Sequence, residues 1–201
     1  MDKCYSAKIK DVLINKPPVK VTYPRVSGLS NPFTQVTINE KIRSLVYSMI
    51  NEQLSNFENV VEMLGTYEVE LNQKGILSIS FENYTYWYHA AHGMTIKRSI
   101  TLDLCTGETY KFKELFTPGS NYITKLNRIV KEQIAEREIL LIEDFESIDR
   151  DQEYYLTPNA LVIYYQLYRY TPYAYGFLKF EIPYSEINDI INPNGPIAKL
   201  I

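Results

Sequence analysis

The chain has 201 residues, 45% of them hydrophobic and 22% charged, and a chain of this size buries about 70% of its surface on folding, enough for one core or two small units. Its 13% aromatic content excludes a disordered protein, and its net charge of −3 argues against a nucleic-acid or anionic-membrane binder. No apolar run approaches the ~20 residues that a transmembrane helix needs.

The chain begins with two predicted strands. Residues 6–14 and 19–23 have strand character and flank Pro17 and Pro18, which interrupt the hydrogen-bond ladder and set a loop. Residues 23–32 contain two prolines and a glycine, so we expect an irregular crossing segment there.

A helix over residues 38–54 follows, because apolar residues recur at helical spacing with polar residues between them. The expected buried stripe consists of Ile38, Ile42, Leu45, Val46, Met49, Ile50 and Leu54. Thr37 and Glu40 have the spacing of a capping box and predict the beginning of this helix.

Alternation of apolar and polar residues predicts the next strands, at residues 67–71, 76–88 and 96–104, with a short one at 109–112. Leu77, Ile79 and Phe81 fall on one face of this strand, whereas Tyr84, Tyr86 and Tyr88 fall on the other. This change of face between the two sets predicts a bulge or bend near residues 82–83.

The C-terminal part predicts a helix, a hairpin and a short helix. Ser120 is placed to cap a helix over residues 120–137. The acidic stretch 143–152 is expected to be a solvated surface, residues 161–182 a hairpin, and Pro183 the first turn of the last helix.

This order of elements predicts an α+β fold of antiparallel sheets with helices packed on one face. Two sequence modules share it, an N-terminal module over 6–107 and a C-terminal module over 108–191. In both, a helix and a polar turn precede a strand that ends in a Tyr-x-Tyr sequence and a small-residue loop with glycine. If the two modules are a structural duplication, the two tyrosine-rich loops lie at equivalent sheet ends.

Tyrosine is the unusual component, with 18 residues against 8 phenylalanines. Tyrosine suits half-buried strands, but it also dominates surfaces that contact proteins and sugars. The excess gathers in two loops, and both interpretations stay open: a contact surface, or a core with two layers. The candidate binding residues are Tyr86, Trp87, Tyr88, His89, His92, Tyr168, Tyr170, Pro172, Tyr173 and Tyr175.

Catalytic and metal-binding signals are weak. His89 and His92 are the only histidines, and a metal site would need further ligands such as Glu82 or Asp103 at a spacing typical of no known site. We therefore predict no catalytic residue, no cofactor and no metal. Cys4 and Cys105 are expected to be unpaired thiols, although their separation leaves a disulfide open.

A series of short motifs runs along nearly the whole chain. In chain order they are Tyr23-Pro24-x-Val26-Ser27-Gly28-Leu29, Gly75-Ile76-Leu77-Ser78-Ile79, Ala90-Ala91-His92-Gly93, Asp103-Leu104-x-Thr106-Gly107, Leu115-Phe116, Tyr155-Leu156-Thr157, Pro172-Tyr173-Ala174-Tyr175-Gly176 and Phe180-x-Ile182-Pro183-Tyr184. This series resembles the extracytoplasmic module found in the ectodomain of RsiV-type anti-sigma factors. A similar module precedes the catalytic domain of some peptidoglycan deacetylases.

The resemblance implies a non-catalytic, extracytoplasmic binding or sensor domain of α+β fold. In the anti-sigma branch such a domain binds lysozyme, so the implied partner is a protein such as lysozyme or a peptidoglycan fragment. The N-terminus contains no apolar signal-peptide region, which fits either a cytoplasmic protein or a trimmed ectodomain.

An alternative is an accessory domain or small hydrolase acting on cell-wall polysaccharide, with His92 and a carboxylate such as Glu82. A third interpretation is a scaffold whose tyrosines all belong to the core.

Overall fold

The computed structural model describes residues 6–55 and 59–201, and the chain divides into two compact units, Met1–Thr109 and Tyr110–Ile201. The first unit contains one helix and a five-stranded sheet in the order β1-β2-β3-β4-β5. Its elements are β1 (Lys8–Lys16), β2 (Val19–Ser27), α1 (Pro32–Ser55), β3 (Val60–Gln73), β4 (Ile76–Trp87) and β5 (Met94–Asp103).

One pair of strands in this sheet is parallel. β2 and β3 pair in parallel over only three residues, Val19–Val21 with Met63–Gly65, and the other neighbours are antiparallel. The cause is α1, because a helical crossover returns the chain to the same end of the sheet and forces the next strand to run parallel. The sheet is therefore mixed, although a wholly antiparallel one was expected.

The predicted irregular segment at residues 23–32 is wrong for its first half, since β2 continues to Ser27. Pro24 lies opposite Asp11 of β1, beyond the three residues that pair with β3. Proline has no N–H group to donate, and it is tolerated at this position because β3 no longer pairs with β2 here.

Helix α1 begins at Pro32, six residues before the predicted start at residue 38. The Oδ1 atom of Asn31 accepts hydrogen bonds from the backbone N–H groups of Phe33 (2.9 Å) and Thr34 (3.3 Å). Asn31 is thus the N-cap and Pro32 occupies the first helical position, where its missing N–H costs nothing. The predicted capping box at Thr37 is wrong, because Thr37 lies inside the helix.

The buried stripe of α1 packs on one face of the sheet. Ile38, Ile42, Val46, Met49 and Ile50 are buried, whereas Leu54 at the predicted end of the stripe is exposed. The partners on the sheet include Met63, Leu77, Ile79, Phe81 and Leu102. This face forms the hydrophobic core of the first unit.

The predicted bulge near residues 82–83 is absent from the described strands, since β4 pairs with β5 without interruption from Ile76 to Thr85. The core face of β4 simply changes from apolar to polar at Asn83 and Thr85. Both side chains donate hydrogen bonds to Oε1 of Gln53 in α1, at 2.6 and 2.9 Å. Tyr84 and Tyr86 therefore lie on the opposite face of β4, and no change of register is needed.

The second unit contains one helix and a three-stranded antiparallel sheet in the order β6-β7-β8. Its elements are α2 (Tyr122–Glu136), β6 (Tyr154–Leu156), β7 (Ala160–Tyr164) and β8 (Lys179–Pro183). Short 3₁₀ turns at Phe112–Leu115, Tyr184–Glu186 and Asn188–Ile190 replace the strand predicted at 109–112 and the predicted last helix. The N-cap of α2 is Asn121 and not Ser120 as predicted.

The order of elements repeats in the two units. In each, a helix is followed by three consecutive antiparallel strands, namely α1 with β3 to β5 and α2 with β6 to β8. The two tyrosine-rich loops connect the second and third strands of these sets, β4 to β5 and β7 to β8.

The predicted α+β class is confirmed. Within the described ranges, neither helix has the length and hydrophobicity that a bilayer span requires. Cys105 is exposed, and Cys4 lies outside the described residues.

Candidate binding surface

The first loop, residues 86–93, consists of the last two residues of β4 and the compact turn that follows them. The backbone N–H of Ala90 donates to the carbonyl of Trp87 (3.0 Å), and the Tyr86 hydroxyl donates to the carbonyl of Ala90 (3.2 Å). His89 has a φ of 64°, in the left-handed region that few residues with side chains occupy. The turn therefore depends on a backbone conformation that its own hydrogen bonds hold in place.

The first loop presents three of its predicted binding residues to solvent. Tyr88, His89 and His92 are exposed, Tyr88 by 64%, whereas Tyr86 and Trp87 are half-buried. The rings of Tyr88 and His89 lie 4.1 Å apart between centroids. Nδ1 of His92 lies 2.8 Å from the carbonyl oxygen of Gly93, so this nitrogen carries a proton when the bond forms.

Gly93 ends this loop for a steric reason. A Cβ atom on Gly93 would lie 2.3 Å from the ring of Tyr84, so a side chain at position 93 would force that ring to move. The Tyr84 ring thus covers the backbone of the loop, and glycine at position 93 permits that contact.

The second loop, residues 165–178, is built on a buried aromatic cluster. The ring of Tyr165 contacts Tyr170 edge-on at 4.8 Å, Phe145 at 6.3 Å and Phe180 at 6.1 Å between centroids. Tyr170 is 4% exposed, and Arg169 lies over its ring at 4.5 Å. Burial raises the pKa of Tyr165 and of Tyr170, so both hydroxyls stay neutral at physiological pH. Tyr170 therefore supports the loop from inside.

The other predicted residues of the second loop lie at its surface. Tyr168 and Tyr175 are 44% and 46% exposed, Pro172 is exposed, and Tyr173 is half-buried. The rings of Tyr168 and Tyr173 lie 5.7 Å apart. Tyr168 has a φ of 66°, and a bulky residue in this region marks local strain, which often accompanies function.

A neighbouring segment adds two exposed apolar side chains that the sequence analysis missed. Leu140 is 87% exposed and Ile142 is 56% exposed. The backbone N–H of Ile142 donates to the carbonyl of Tyr170 (2.9 Å), which ties this segment to the second loop. We call Leu140, Ile142, Tyr168, Tyr173 and Tyr175 the tyrosine patch.

Two arginines connect the second loop to the segment around Leu140 and Ile142. Nη2 of Arg137 donates to the hydroxyl of Tyr175 (3.2 Å), and Nη1 of Arg169 donates to the carboxylate of Glu143 (2.7 Å). Aromatic and arginine side chains are enriched at energetically important protein contacts.

The carboxylates considered as further metal ligands have other partners. Glu82 accepts an ion-pair hydrogen bond from Nζ of Lys97 at 2.8 Å, and Lys97 is only 1% exposed. Asp103 accepts from the backbone N–H groups of Cys105 and Thr106, at 2.8 and 2.9 Å, and so closes a turn. Across the ranges 6–55 and 59–201, no three His, Cys, Asp or Glu residues gather in a way that could hold a metal ion.

Comparison with known protein families assigns a match to each unit. The family model described as "Deacetylase PdaC" matches residues 10–95, and the one described as "Protein of unknown function (DUF3298)" matches residues 113–185. The two units match different families. No curated protein is significantly similar to the chain.

Solved structures of DUF3298 family proteins share the fold over nearly the whole chain. One from Bacteroides fragilis has a TM-score of 0.71 at 14% identity, with 99% of each chain covered. Another from Pseudomonas aeruginosa has a TM-score of 0.66 at 16% identity, with 96% of each chain covered. These matches support the predicted resemblance at the level of the DUF3298 and PdaC family models, and the narrower resemblance to RsiV-type ectodomains stays a prediction.

Proposed function

We propose that this protein is a non-catalytic binding domain whose second unit contacts a protein partner through the tyrosine patch. The observation that carries the proposal is the division of the second loop into two layers. Tyr165 and Tyr170 form a buried aromatic base, whereas Tyr168, Tyr175, Leu140 and Ile142 are exposed. A preorganised aromatic surface of this kind loses little conformational entropy on binding.

Charge near the patch favours a partner with a basic contact face. The segment that follows Ile142 exposes five carboxylates and one arginine, namely Glu143, Asp144, Glu146, Asp149, Asp151 and Arg150. Acidic residues beside an apolar contact increase the association rate with a basic partner and make that rate depend on salt.

Lysozyme is the partner that the resemblance to RsiV-type ectodomains implies, and an extracytoplasmic location follows from the same resemblance. The motif series along the chain is what supports this assignment. Under this proposal the domain acts as a sensor, and lysozyme binding is its input.

The first loop offers a second contact, for which a cell-wall glycan is the candidate ligand. The paired rings of Tyr88 and His89 are exposed, and exposed aromatic rings of this kind contact sugars. The hydrolase alternative has less support, because its proposed carboxylate, Glu82, is paired with the buried Lys97.

Binding of lysozyme and of muropeptides to the purified chain, measured by calorimetry, tests this proposal. We expect saturable lysozyme binding that the double variant Leu140→Ser/Ile142→Ser weakens by roughly tenfold or more, since fully burying a Leu or Ile side chain is worth roughly 1.5–3 kcal/mol. The matched control is Phe33→Ser in the first unit, because Phe33 is 85% exposed and lies outside the patch. If neither ligand binds, the proposal is wrong.

A further inference from the structure

A cavity of about 270 Å³ lies in the first unit, between the N-terminal half of α1 and the β1–β2 hairpin. Tyr23 and Arg25 line it from β2, and Gln35, Glu40 and Arg43 line it from α1. The β1–β2 hairpin and α1 both pack in the core of the first unit, so the fold itself sets the shape of the cavity. The tyrosine patch and the first loop do not contribute to it.

The charges around this cavity sum to one positive charge, although the whole chain is acidic. Arg43 donates to the carboxylate of Glu40 (2.6 Å), so these two charges largely neutralise each other. In the part of the chain that the structure describes, the guanidinium of Arg25 has neither a hydrogen bond nor an ion pair. Arg25 therefore offers its donors to whatever enters the cavity.

The polar groups available beside Arg25 are mostly donors. Gln35 uses its Oε1 atom to accept from the backbone N–H of Leu29 (3.2 Å), which leaves its amide N–H groups for another partner. Oδ1 of Asn39 accepts from the backbone N–H of Val26 at 2.7 Å, and Nδ2 of Asn39 donates to the carbonyl of Val26 at 2.9 Å. This side chain therefore lines the cavity with its polar atoms already hydrogen-bonded. Glu40 supplies the one strong acceptor.

Apolar surface completes the cavity. Val12 and Val36 line it together with the half-buried ring of Tyr23. A volume of 270 Å³ lies just below the ~300–1,000 Å³ typical of sites for drug-sized molecules, so the cavity suits a single ring.

We propose that this cavity binds a carboxylated monosaccharide. The carboxylate pairs with Arg25 in the bidentate geometry that guanidinium groups favour. Hydroxyl groups donate to Glu40 and accept from Gln35, and the apolar face of the ring packs on Val36 and Tyr23. One net positive charge matches a carboxylate better than a phosphate, which carries about 1.5 to 2 negative charges at neutral pH.

Titration of the full chain with D-glucuronate, D-glucose and inorganic phosphate, followed by NMR chemical shifts, tests the proposal. Glucuronate and glucose differ only in the carboxylate at C6, so they isolate the charge that Arg25 is expected to bind. We expect saturable glucuronate binding with shifts at Arg25, Gln35 and Val36, and no saturable binding of glucose. Equal binding of glucose and glucuronate would overturn the proposal, as would phosphate binding as tight as that of glucuronate.

Substitution of Arg25 supplies the second arm of the test. We expect Arg25→Gln to weaken glucuronate binding by roughly tenfold or more. Arg25→Lys is expected to restore part of the binding, because lysine keeps the positive charge but cannot form the bidentate hydrogen bonds of a guanidinium group. Lys20→Gln is the control, since Lys20 is another exposed cation of β2 that does not line the cavity. Arg25 is exposed, so folding is expected to survive, and unchanged thermal unfolding verifies this. An Arg25→Gln variant that folds and binds as the parent does removes the assignment.

Discussion

Two buried tyrosines in the second unit differ in what their hydroxyl groups contact. The hydroxyl of Tyr184 donates to the carbonyl of Thr157 at 2.7 Å. The hydroxyl of Tyr165 is buried and, among the described residues, has no hydrogen-bond partner. A buried hydroxyl without a partner retains its desolvation cost, whereas a bonded one contributes net stability.

This difference predicts opposite outcomes for the same substitution. We expect Tyr184→Phe to lower the free energy of unfolding by about 1 kcal/mol, and Tyr165→Phe to leave it unchanged or raise it. Urea unfolding followed by circular dichroism measures both, and each variant serves as the control for the other. A loss of stability on Tyr165→Phe as large as that of Tyr184→Phe would show that the Tyr165 hydroxyl has a stabilising partner.

Tyr67 is expected to make the free energy of unfolding fall as the pH rises into the alkaline range. Burial, followed by the hydrogen bond to Asp11, raises the pKa of Tyr67 from 10.0 to about 12. A raised pKa in the folded state gives a stabilising contribution that is complete below pH 10 and is lost between pH 10 and about 12.

The Tyr67→Phe variant cannot lose this contribution, so its stability is expected to fall less steeply than that of the parent between pH 10 and 12. Urea midpoints measured from pH 8 to 12 give the comparison. Tyr47→Phe, at an exposed position of α1, is the control and should follow the parent. Parallel curves for the parent and Tyr67→Phe would contradict the assignment.

At the scale of the element, the beginning of α1 depends on one side chain. Asn31 supplies the acceptor for two of the N–H groups that a helix leaves unpaired at its N-terminus. We expect Asn31→Ala to lower the free energy of unfolding by about 1 kcal/mol, and Asn31→Asp to retain most of the stability. Chemical denaturation measures the effect, with Ser30→Ala as the neighbouring control. An alanine variant as stable as the aspartate variant would mean that the cap contributes nothing.

Periodic elements could be predicted from the sequence, and their ends could not. The stripe from Ile38 to Ile50 identified α1, because burial imposes the helical period on apolar residues. Its start at Pro32 was missed because the first turn carries polar residues and the exposed Phe33. Strand β6 spans only three residues, too few to show alternation, and it depends on pairing with β7.

The same limit applies to the candidate site. The density of tyrosine located the two loops. Buried and exposed side chains do not alternate regularly within a loop, so sequence alone could not separate the buried Tyr170 from the exposed Tyr168. Leu140 and Ile142 were missed because they follow a helix and look like its continuation. Their exposure depends on the end of α2 at Glu136 and on the left-handed φ of 49° at Glu138.

At the scale of the whole molecule, the two units repeat an order of elements but differ in what they expose. The first unit exposes a compact turn with Tyr88 and His89, and the second exposes the tyrosine patch on a buried aromatic base. Our central claim is that the patch is the surface that contacts a protein.

Hydrogen–deuterium exchange of the full chain, with and without lysozyme, tests that claim most directly. The account predicts that lysozyme slows exchange at residues 140–142 and 168–175, and leaves exchange in α1 unchanged. Slowed exchange confined to other segments, or no change at saturating lysozyme, would contradict it.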